Sequence, residues 1–221
     1  MKITAIVPVK KESGRLNNKN ILPFGDSNLL TYKIRQLKET PRINNIIVSS
    51  DSDLMLEMAA KDGAVPLKRP KEFADESRPF SDFIDYLCRE VNGDHFVYAC
   101  VTSPLVSGDI YSDAIDTYLQ KLDDGYDSLI TVLPFQHFLM DEYGTFNFKR
   151  AKEHVNSQDL PKYWLFTNGI IIAPRKSMAE WHYHFGINPY YYEVQKDVSV
   201  DIDDVYDYEY AIALYNLNKR G

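Results

Sequence analysis

The fold class can be inferred from the stretch Ile3-Thr4-Ala5-Ile6-Val7-Pro8-Val9 and from the loop that follows it, Lys10-Lys11-Glu12-Ser13-Gly14-Arg15-Leu16-Asn17-Asn18-Lys19-Asn20. The first stretch is almost continuously apolar and therefore predicts a strand buried on both faces of a sheet. The second is polar and rich in turn-forming residues, so the chain leaves the sheet there. Ligands of open α/β sheets bind beyond the carboxyl ends of the strands, and this loop has such a position.

Strand-like and helical patterns alternate along the rest of the chain. Apolar runs predict four further strands, at residues 46–50, 95–101, 128–132 and 169–173. Three sets of apolar residues recur at helical spacing and predict helices. The sets are Phe80, Ile84, Leu87 and Val91; Ile110, Ala114, Tyr118 and Leu122; and Val205, Tyr208, Ala211 or Ile212, and Tyr215. Ser107 is a plausible N-cap for the second helix. The alternation predicts an α/β fold in which helices cover both faces of a mostly parallel sheet.

The periodicity lapses between about residues 138 and 164, where polar turn residues dominate. Such a segment predicts a hairpin arm or loop that leaves the main sheet, and arms of this kind often meet a partner subunit. A length of 221 residues suits one domain, so we expect a single domain at 1–221 that carries this arm.

Composition limits the partners of the chain. The net charge of -7 and the pI near 5.2 argue against a nucleic-acid groove, which needs clustered Lys and Arg. The N-terminal apolar run is far shorter than the roughly 18 residues of a membrane span. Cys88 and Cys100 show no metal-ligand spacing and predict buried thiols in a reduced, cytoplasmic chain. We therefore expect neither a nucleic-acid nor a membrane partner.

The loop at residues 10–20 contains four cations, one glycine, one serine and three asparagines. Turn-rich backbone can direct N–H groups at phosphate oxygens while Lys and Arg side chains neutralise them, so the loop is a candidate phosphate site. It lacks the glycine spacing of a Walker loop and of a dinucleotide fingerprint, which disfavours an ATPase or a dehydrogenase. The alternative is a solvated basic loop without a ligand.

A second candidate site lies near the other end of the chain, in Ser199-Val200-Asp201-Ile202-Asp203-Asp204. In an extended segment, Asp201 and Asp203 lie on the same face. The pair could bind Mg²⁺, which usually takes one or two carboxylates together with waters and substrate phosphates. The alternative is an N-cap cluster in which Asp203 or Asp204 caps the last helix.

Both sites belong to an ordered series of short motifs. The series is Ile6-Val7-Pro8-Val9-Lys10, Ser13, Arg15-Leu16, Lys19-Asn20, Pro23-Phe24, Ile47-Val48-Ser49-Ser50-Asp51-Ser52, Gly63-Ala64, Arg69-Pro70, Thr102-Ser103-Pro104-Leu105, Asn168-Gly169-Ile170-Ile171-Ile172, Asp201-Ile202-Asp203 and Asp207. In order and spacing it resembles the acylneuraminate cytidylyltransferase family, which also includes the enzymes that activate Kdo-like and other nonulosonic acids. The resemblance spans nearly the whole chain.

The resemblance implies a Rossmann-like sheet, a homodimer made partly by an excursion, and CTP bound by the first loop. The family's nucleotide-contacting positions fall on Lys10, Ser13, Lys19 and Asn20, with Arg15 in the same loop and Ser81 near the serine that follows the Arg-Pro pair. Its metal-binding pair falls on Asp201 and Asp203, which implies Mg²⁺ as a cofactor. Its acceptor-sugar side corresponds to Cys100, Thr102, Ser103, Asn168 and Gly169, although Asn-Gly is also a common turn pair.

Two departures from the family concern the substrates. The family usually begins its loop with Arg and two glycines, whereas Lys10-Lys11-Glu12 stands here, and Lys keeps the charge but loses the bidentate geometry. Where sialic-acid enzymes resemble Leu-Gln-Pro-Thr-Ser-Pro-Leu-Arg, this chain has Ala99-Cys100-Val101-Thr102-Ser103-Pro104-Leu105-Val106, without the amide and the final cation. The acceptor is therefore open, and the candidates by type for binding its carboxylate are Arg69, Lys162 and Arg175.

The implied reaction is an in-line attack by a sugar hydroxyl group on the α-phosphorus of CTP, with pyrophosphate leaving. Lys10 and Lys19 would balance phosphate charge, and Asp203 would hold Mg²⁺ together with Asp201. Two alternatives stay open. One is a nucleotidyltransferase for a different sugar or nucleotide, and the other is a non-catalytic nucleotide-binding module of the same fold.

Overall fold

The computed structural model of the protein describes residues 1–12, 14–75 and 78–219. Its α-helices are α1 (Leu29–Lys38), α2 (Asp53–Lys61), α3 (Phe80–Glu90), α4 (Gly108–Asp123), α5 (Arg175–Trp181) and α6 (Val205–Asn218). Its strands are β1 (Ile3–Pro8), β2 (Pro23–Phe24), β3 (Ser27–Asn28), β4 (Asn45–Ser50), β5 (Val65–Lys68), β6 (His95–Tyr98), β7 (Ser128–Phe135), β8 (Met140–Asp141), β9 (Gly144–Thr145), β10 (Tyr163–Pro174) and β11 (Pro189–Glu193). Within these ranges, no helix has the length and apolar character needed to cross a membrane.

Seven strands form one sheet in the order β11-β7-β10-β6-β1-β4-β5. β1 pairs in parallel with β4 and β6, β4 pairs in parallel with β5, and β7 pairs in parallel with β11. β10 lies antiparallel between β6 and β7. The predicted α/β fold with a mostly parallel sheet is confirmed. The sequence pattern missed β5, because the side chains of this edge strand are mostly exposed and form no apolar run.

Alternate residues of β1 pack against opposite helical layers. Ala5 and Val7 belong to a buried cluster that includes Leu30 of α1 and side chains of α2, α4 and α6. Ile6 faces the other side, in a cluster that includes Phe83 of α3 and side chains of α5. Full burial of side chains of this size stabilises the fold by about 1.5–3 kcal/mol each. Because both faces of β1 are covered, its sequence is a continuous apolar run.

The start of α6 separates two neighbouring aspartates by their roles. Asp204 is the N-cap, since its carboxylate accepts hydrogen bonds from the backbone N–H groups of Tyr206 and Asp207. The Asp207 side chain accepts in return from the Asp204 N–H, which completes a capping box. The capping role left open between Asp203 and Asp204 therefore belongs to Asp204. The predicted Ser107 N-cap of α4 is confirmed as well.

β7 and β10 extend as a two-stranded ribbon beyond the other strands. Residues 136–162 connect them and contain the short β8–β9 hairpin, so β10 begins inside the segment predicted to be irregular. Trp164, Leu165 and Phe166 are exposed by 41%, 46% and 39%. Since successive strand residues point to opposite faces, both faces of the ribbon are only partly covered there. The assignment of the chain to one domain with a dimerisation arm stays a prediction.

Candidate active site

A cleft opens at the carboxyl ends of β1 and β6, beside the loop predicted to bind phosphate. Its volume of about 420 Å³ lies within the range of about 300–1,000 Å³ that is common for small-molecule sites. Its lining includes five residues that the sequence predicts for the site, and these are Lys10, Lys19, Asn20, Cys100 and Thr102; the charged residues Arg69, Asp75 and Arg78 line it as well. A more polar cavity of about 950 Å³ shares Lys10 with it and is lined by further residues of the loop. The structure thus brings five of the predicted site residues to one cleft.

Backbone groups hold the loop in place. The buried Asn20 side chain donates from Nδ2 to the Lys10 carbonyl oxygen at 2.8 Å, which ties the two ends of the loop together. The Lys11 N–H donates to Asp51 Oδ1, just beyond β4, at 2.8 Å. Asn20 therefore shapes the loop through a structural contact. Ser13 lies outside the described residues, and its role stays a prediction.

Lys19 joins this loop to the C-terminal aspartate segment. Its ammonium group donates to the Ile202 carbonyl oxygen at 2.8 Å and to Asp203 Oδ1 at 3.2 Å. Arg15 Nη1 lies 3.1 Å from Asp203 Oδ2. The Lys19 side chain is 15% exposed and that of Arg15 is 71% exposed, so solvent screens the Lys19 pair less. The two candidate sites of the sequence are one site in the structure.

Asp201 lies deeper than Asp203 at the same place. Burial raises the pKa of the Asp201 carboxyl group, and the negative charge of Asp203 adds to this effect. Hydrogen bonding with the side chains of Thr102 and Asn168 lowers the pKa in part. The Ile202 N–H donates to the Thr102 carbonyl oxygen at 2.8 Å and fixes the segment against the residues after β6. A cation bound next to Asp201 would relieve the cost of its charged form.

The carboxylates fit a divalent ion that arrives with a substrate. Across the part of the chain that the structure describes, no cluster of three or more His, Cys, Asp or Glu side chains could hold a metal. Asp201 and Asp203 nevertheless lie close enough to interact electrostatically and supply two carboxylates. Mg²⁺ usually completes such a set with waters and substrate phosphates. This donor set suits Mg²⁺ bound with a nucleotide better than Mg²⁺ held by the protein alone.

Asn168 and Gly169 form an irregularity in β10. The pairing of β10 with β7 shifts register here, and Asn168 has a left-handed backbone with φ of 54°. The Thr131 hydroxyl of β7 accepts a hydrogen bond from the Ile170 N–H at 2.9 Å, which stabilises the irregularity. Asn168 thereby interacts with Asp201, whereas Gly169 is buried. This geometry is compatible with both interpretations of Asn168-Gly169, as a local feature of the backbone and as part of the acceptor-sugar side of the site.

The predicted acceptor residues after β6 differ in exposure. Cys100 and Thr102 line the cleft, whereas Ser103 is 1% exposed and lies behind it. The Ser103 carbonyl oxygen accepts a hydrogen bond from Lys33, a residue that the sequence analysis did not single out. Burial raises the pKa of the Cys100 thiol to about 12, so this thiol stays protonated near neutral pH and is a poor nucleophile.

Of the three cations proposed for a sugar carboxylate, Arg69 lines the cleft. Arg69 as a whole is 6% exposed, and its guanidinium group donates to the Ser49 carbonyl oxygen at 2.7 Å. Lys162 instead forms an ion pair with Glu193. Arg175 donates to the carbonyl oxygen of Gly93, just before β6, and to that of Cys88 in α3. The structure therefore favours Arg69 among the three.

The cleft also has an aromatic part that the sequence pattern does not predict, and it consists of Phe73, Phe80, Phe83 and Tyr98. The helical stripe predicts a buried Phe80, but this residue begins α3, is 39% exposed and lines the cleft. Phe80 is the first residue of the apolar set, and this position could have indicated that it is exposed, because the first turn of a helix often lies beyond the core. Ser81 follows in the same turn and is not part of the cleft lining described for the protein.

Comparisons with known proteins concern the family of the chain and its fold. Residues 4–219 match the family described as Cytidylyltransferase. Pseudaminic acid cytidylyltransferase of Campylobacter jejuni is 24% identical over 233 residues, which cover 100% of this chain and 99% of that protein. N-acylneuraminate cytidylyltransferase of Escherichia coli is 30% identical over 227 residues, which cover 99% of this chain and 53% of that protein. The chain thus spans about half the length of the second relative.

A solved structure shares the fold. CMP:2-keto-3-deoxy-manno-octonic acid synthetase complexed with CTP superposes with a TM-score of 0.71 at 11% identity, covering 99% of this chain and 100% of the other. At this identity the likeness concerns the fold alone. The family match, in contrast, includes the loop after β1, the cleft and the Asp201–Asp203 segment. The chain belongs to the cytidylyltransferase family.

Proposed function

We propose that the protein transfers CMP from CTP to a nonulosonic acid and releases pyrophosphate. The observation that carries this proposal is the contact of Lys19 with Asp203, which joins the cationic loop and the paired carboxylates at one cleft. Membership of the cytidylyltransferase family supports CTP as the nucleotide. The names of the two relatives, which act on pseudaminic acid and on N-acylneuraminate, support a nonulosonic acid as the acceptor.

The chain contributes binding and charge balance to this reaction. The acceptor hydroxyl oxygen forms a bond to the α-phosphorus, the bond from that phosphorus to the pyrophosphate oxygen breaks, and the hydroxyl proton passes to water. Lys10 and Lys19, which line the cleft, neutralise phosphate charge as it redistributes. No side chain needs to form a covalent intermediate, in agreement with the protonated state of the Cys100 thiol.

Mg²⁺ is the proposed cofactor, with Asp201 and Asp203 as its protein ligands. When bound, it would neutralise phosphate charge and polarise the α-phosphate. Asp203 is already paired with Lys19 and Arg15. In the nucleotide complex, these cations therefore have to exchange carboxylate oxygens for phosphate oxygens, which their flexible side chains permit.

A homodimer is also proposed. The ribbon at Trp164, Leu165 and Phe166 exposes three large apolar side chains, and Tyr191 of the neighbouring β11 is 46% exposed. Trp164 and Phe166 lie on one face of the ribbon and Leu165 on the other. Large exposed apolar surfaces often mark interaction sites. The arm at residues 136–162 leaves the sheet at the same place, so a second copy of the chain is the proposed occupant of this surface.

The proposed location is the cytoplasm. Cys88 and Cys100 are free thiols, as expected for a reducing compartment.

The proposed partners are small molecules. The acidic net charge of -7 argues against a nucleic-acid partner.

The alternative functions are a transfer to another sugar or from another nucleotide, and nucleotide binding without catalysis. Cys100 supports the first, because it stands in the cleft where the sialic-acid enzymes carry an amide. The test incubates the protein with each of four NTPs, Mg²⁺ and a panel of sugar acids, and measures pyrophosphate. We expect CTP with a nonulosonic acid to give the highest rate. Higher rates with UTP or GTP would reject the proposed nucleotide, and CTP binding without turnover on any acid would favour the non-catalytic module.

We predict that Asp203→Asn lowers kcat on the order of 100-fold, because a neutral amide is a poor ligand for a hard dication. The melting temperature should change little, since Asp203 is not the helix cap and its ion pairs are partly exposed. Steady-state rates at limiting Mg²⁺ and thermal unfolding measure the two effects.

Asp204 supplies the matched control, because it is the adjacent carboxylate and caps α6. Asp204→Ala should lower the free energy of unfolding by about 1 kcal/mol and leave kcat within a few-fold. Asp204→Asn should leave both values nearly unchanged, since Asn caps helices as well as Asp does. Near-normal turnover in Asp203→Asn would remove the metal assignment.

For the homodimer, Leu165→Asp should convert the protein to monomers at micromolar concentration, because it places a charge on the exposed ribbon. Light scattering measures the mass. Leu54→Asp is the control, since Leu54 is 53% exposed on α2, which packs on β4 and β5 at the other end of the sheet. A monomeric wild-type protein would contradict the proposal, and an unchanged dimer in Leu165→Asp would exclude the Leu165 face of the ribbon.

A further inference from the structure

Lys33 of α1 has an unusual position for a lysine. Its side chain is 0% exposed and lies in the core between α1 and α4. Burial lowers its pKa to about 7, and the electrostatic influence of Cys100 opposes this by raising the pKa in part. No carboxylate among residues 1–12, 14–75 and 78–219 forms an ion pair with it. An apolar side chain would fill this space without the desolvation free energy that a buried ammonium group costs. The contacts of the ammonium group therefore indicate why a lysine stands here.

The ammonium group has three N–H donors and three acceptors around it. It donates to the Ser103 carbonyl oxygen at 2.9 Å, to the Tyr111 hydroxyl at 3.1 Å and to the Val106 carbonyl oxygen at 3.5 Å. Ser103 and Val106 belong to the segment at residues 100–106, which carries Cys100 and Thr102 into the cleft. We name this segment the acceptor loop.

The acceptor loop is weakly held by its own backbone. Its turns contain the bonds from Ser103 N–H to the Cys100 oxygen at 3.3 Å and from Val106 N–H to the Ser103 oxygen at 3.4 Å. Both distances are longer than the roughly 2.7–3.2 Å that is usual between the nitrogen and oxygen atoms of N–H···O bonds. Bonds from outside the loop complete its support. The Ile202 N–H donates to the Thr102 carbonyl oxygen at 2.8 Å, and the Gln36 amide of α1 donates to the Pro104 carbonyl oxygen at 2.7 Å. Lys33 contacts two further carbonyl groups of the loop.

The same lysine is linked to the irregularity of β10. The Tyr111 hydroxyl, which accepts from Lys33, lies 3.4 Å from the Gly169 carbonyl oxygen. Gly169 also packs against the acceptor loop, since a Cβ on it would come within 3.3 Å of Val106 Cγ2. Lys33 and Tyr111 thus stand behind both segments that face Asp201, one through Thr102 and the other through Asn168.

We propose that Lys33 is a positioning residue for the acceptor sugar: with Tyr111 it fixes the acceptor loop and the Asn168–Gly169 irregularity in one arrangement around Asp201. This inference rests on the proposed function, since it assigns the acceptor to that side of the cleft. The CTP loop at residues 10–20 makes no described contact with Lys33. Loss of the ammonium group should therefore weaken binding of the sugar and spare binding of CTP.

The protonation state of Lys33 provides a second readout. The ammonium form has three donors for its three acceptors, whereas the neutral amine has two donors and a lone pair that a carbonyl oxygen repels. With a pKa of about 7, the ammonium form predominates below neutral pH and is lost as pH rises. The facing groups keep their protons in this range, because burial raises the pKa of Cys100 to about 12 and that of Tyr111 well above 10.

The test compares wild type with Lys33→Met, which keeps the length of the side chain and removes its charge. We expect KM for the acceptor to rise about tenfold in the variant, because the buried Ser103 and Val106 carbonyl oxygens lose their donor, and KM for CTP to stay within twofold. In wild type, KM for the acceptor should rise from pH 6 to pH 8, and the variant should lose this rise. Tyr111→Phe should raise KM for the acceptor by a smaller factor.

Hydrogen exchange without substrates makes the test independent of turnover. Lys33→Met should exchange amides faster both in the acceptor loop and at residues 167–170. Thr40→Val is the control, because Thr40 is a buried polar residue just after α1 that contacts neither segment. Unchanged exchange in both segments would overturn the inference, as would an unchanged KM for the acceptor in an active variant. If wild type accepts no sugar acid, the proposed function fails, and the exchange result still decides the structural role of Lys33.

Discussion

The Lys19 ammonium group donates to the Ile202 carbonyl oxygen and to Asp203, which lie 183 and 184 positions further along the chain. This contact unites a loop after the first strand with a segment before the last helix, and neither could form the site alone. Its energy depends on the limited exposure of Lys19, since a fully exposed pair of this kind contributes little. In the proposed reaction, the same cation serves the carboxylate in the free protein and the phosphates in the complex.

Most of the fold could be predicted because the central strands are buried on both faces. β1, β4 and β6 contain apolar runs, and such runs indicate strands without knowledge of their neighbours. β5 was missed for the opposite reason, as an exposed edge strand has no apolar run. The full extent of β10 was also missed, because Trp164 and its neighbours lie on a partly covered ribbon where burial imposes no pattern.

The candidate site could be predicted in part. The cationic loop and the paired aspartates are local patterns, and the structure brings them together. The division of roles between Asp203 and Asp204 required the capping geometry, which depends on backbone conformation rather than residue type. Lys33 escaped notice because a single lysine in an amphipathic helix normally points to solvent. Its burial follows from the packing of α1 against α4, and no local pattern encodes that contact.

The measurement that tests this account most directly is a crystal structure with CTP and Mn²⁺, in which anomalous scattering locates the metal. We predict a peak within bonding distance of the Asp201 and Asp203 carboxylates, with the triphosphate against Lys10 and Lys19. A metal bound away from both aspartates, or a triphosphate out of reach of the loop at residues 10–20, would contradict the account.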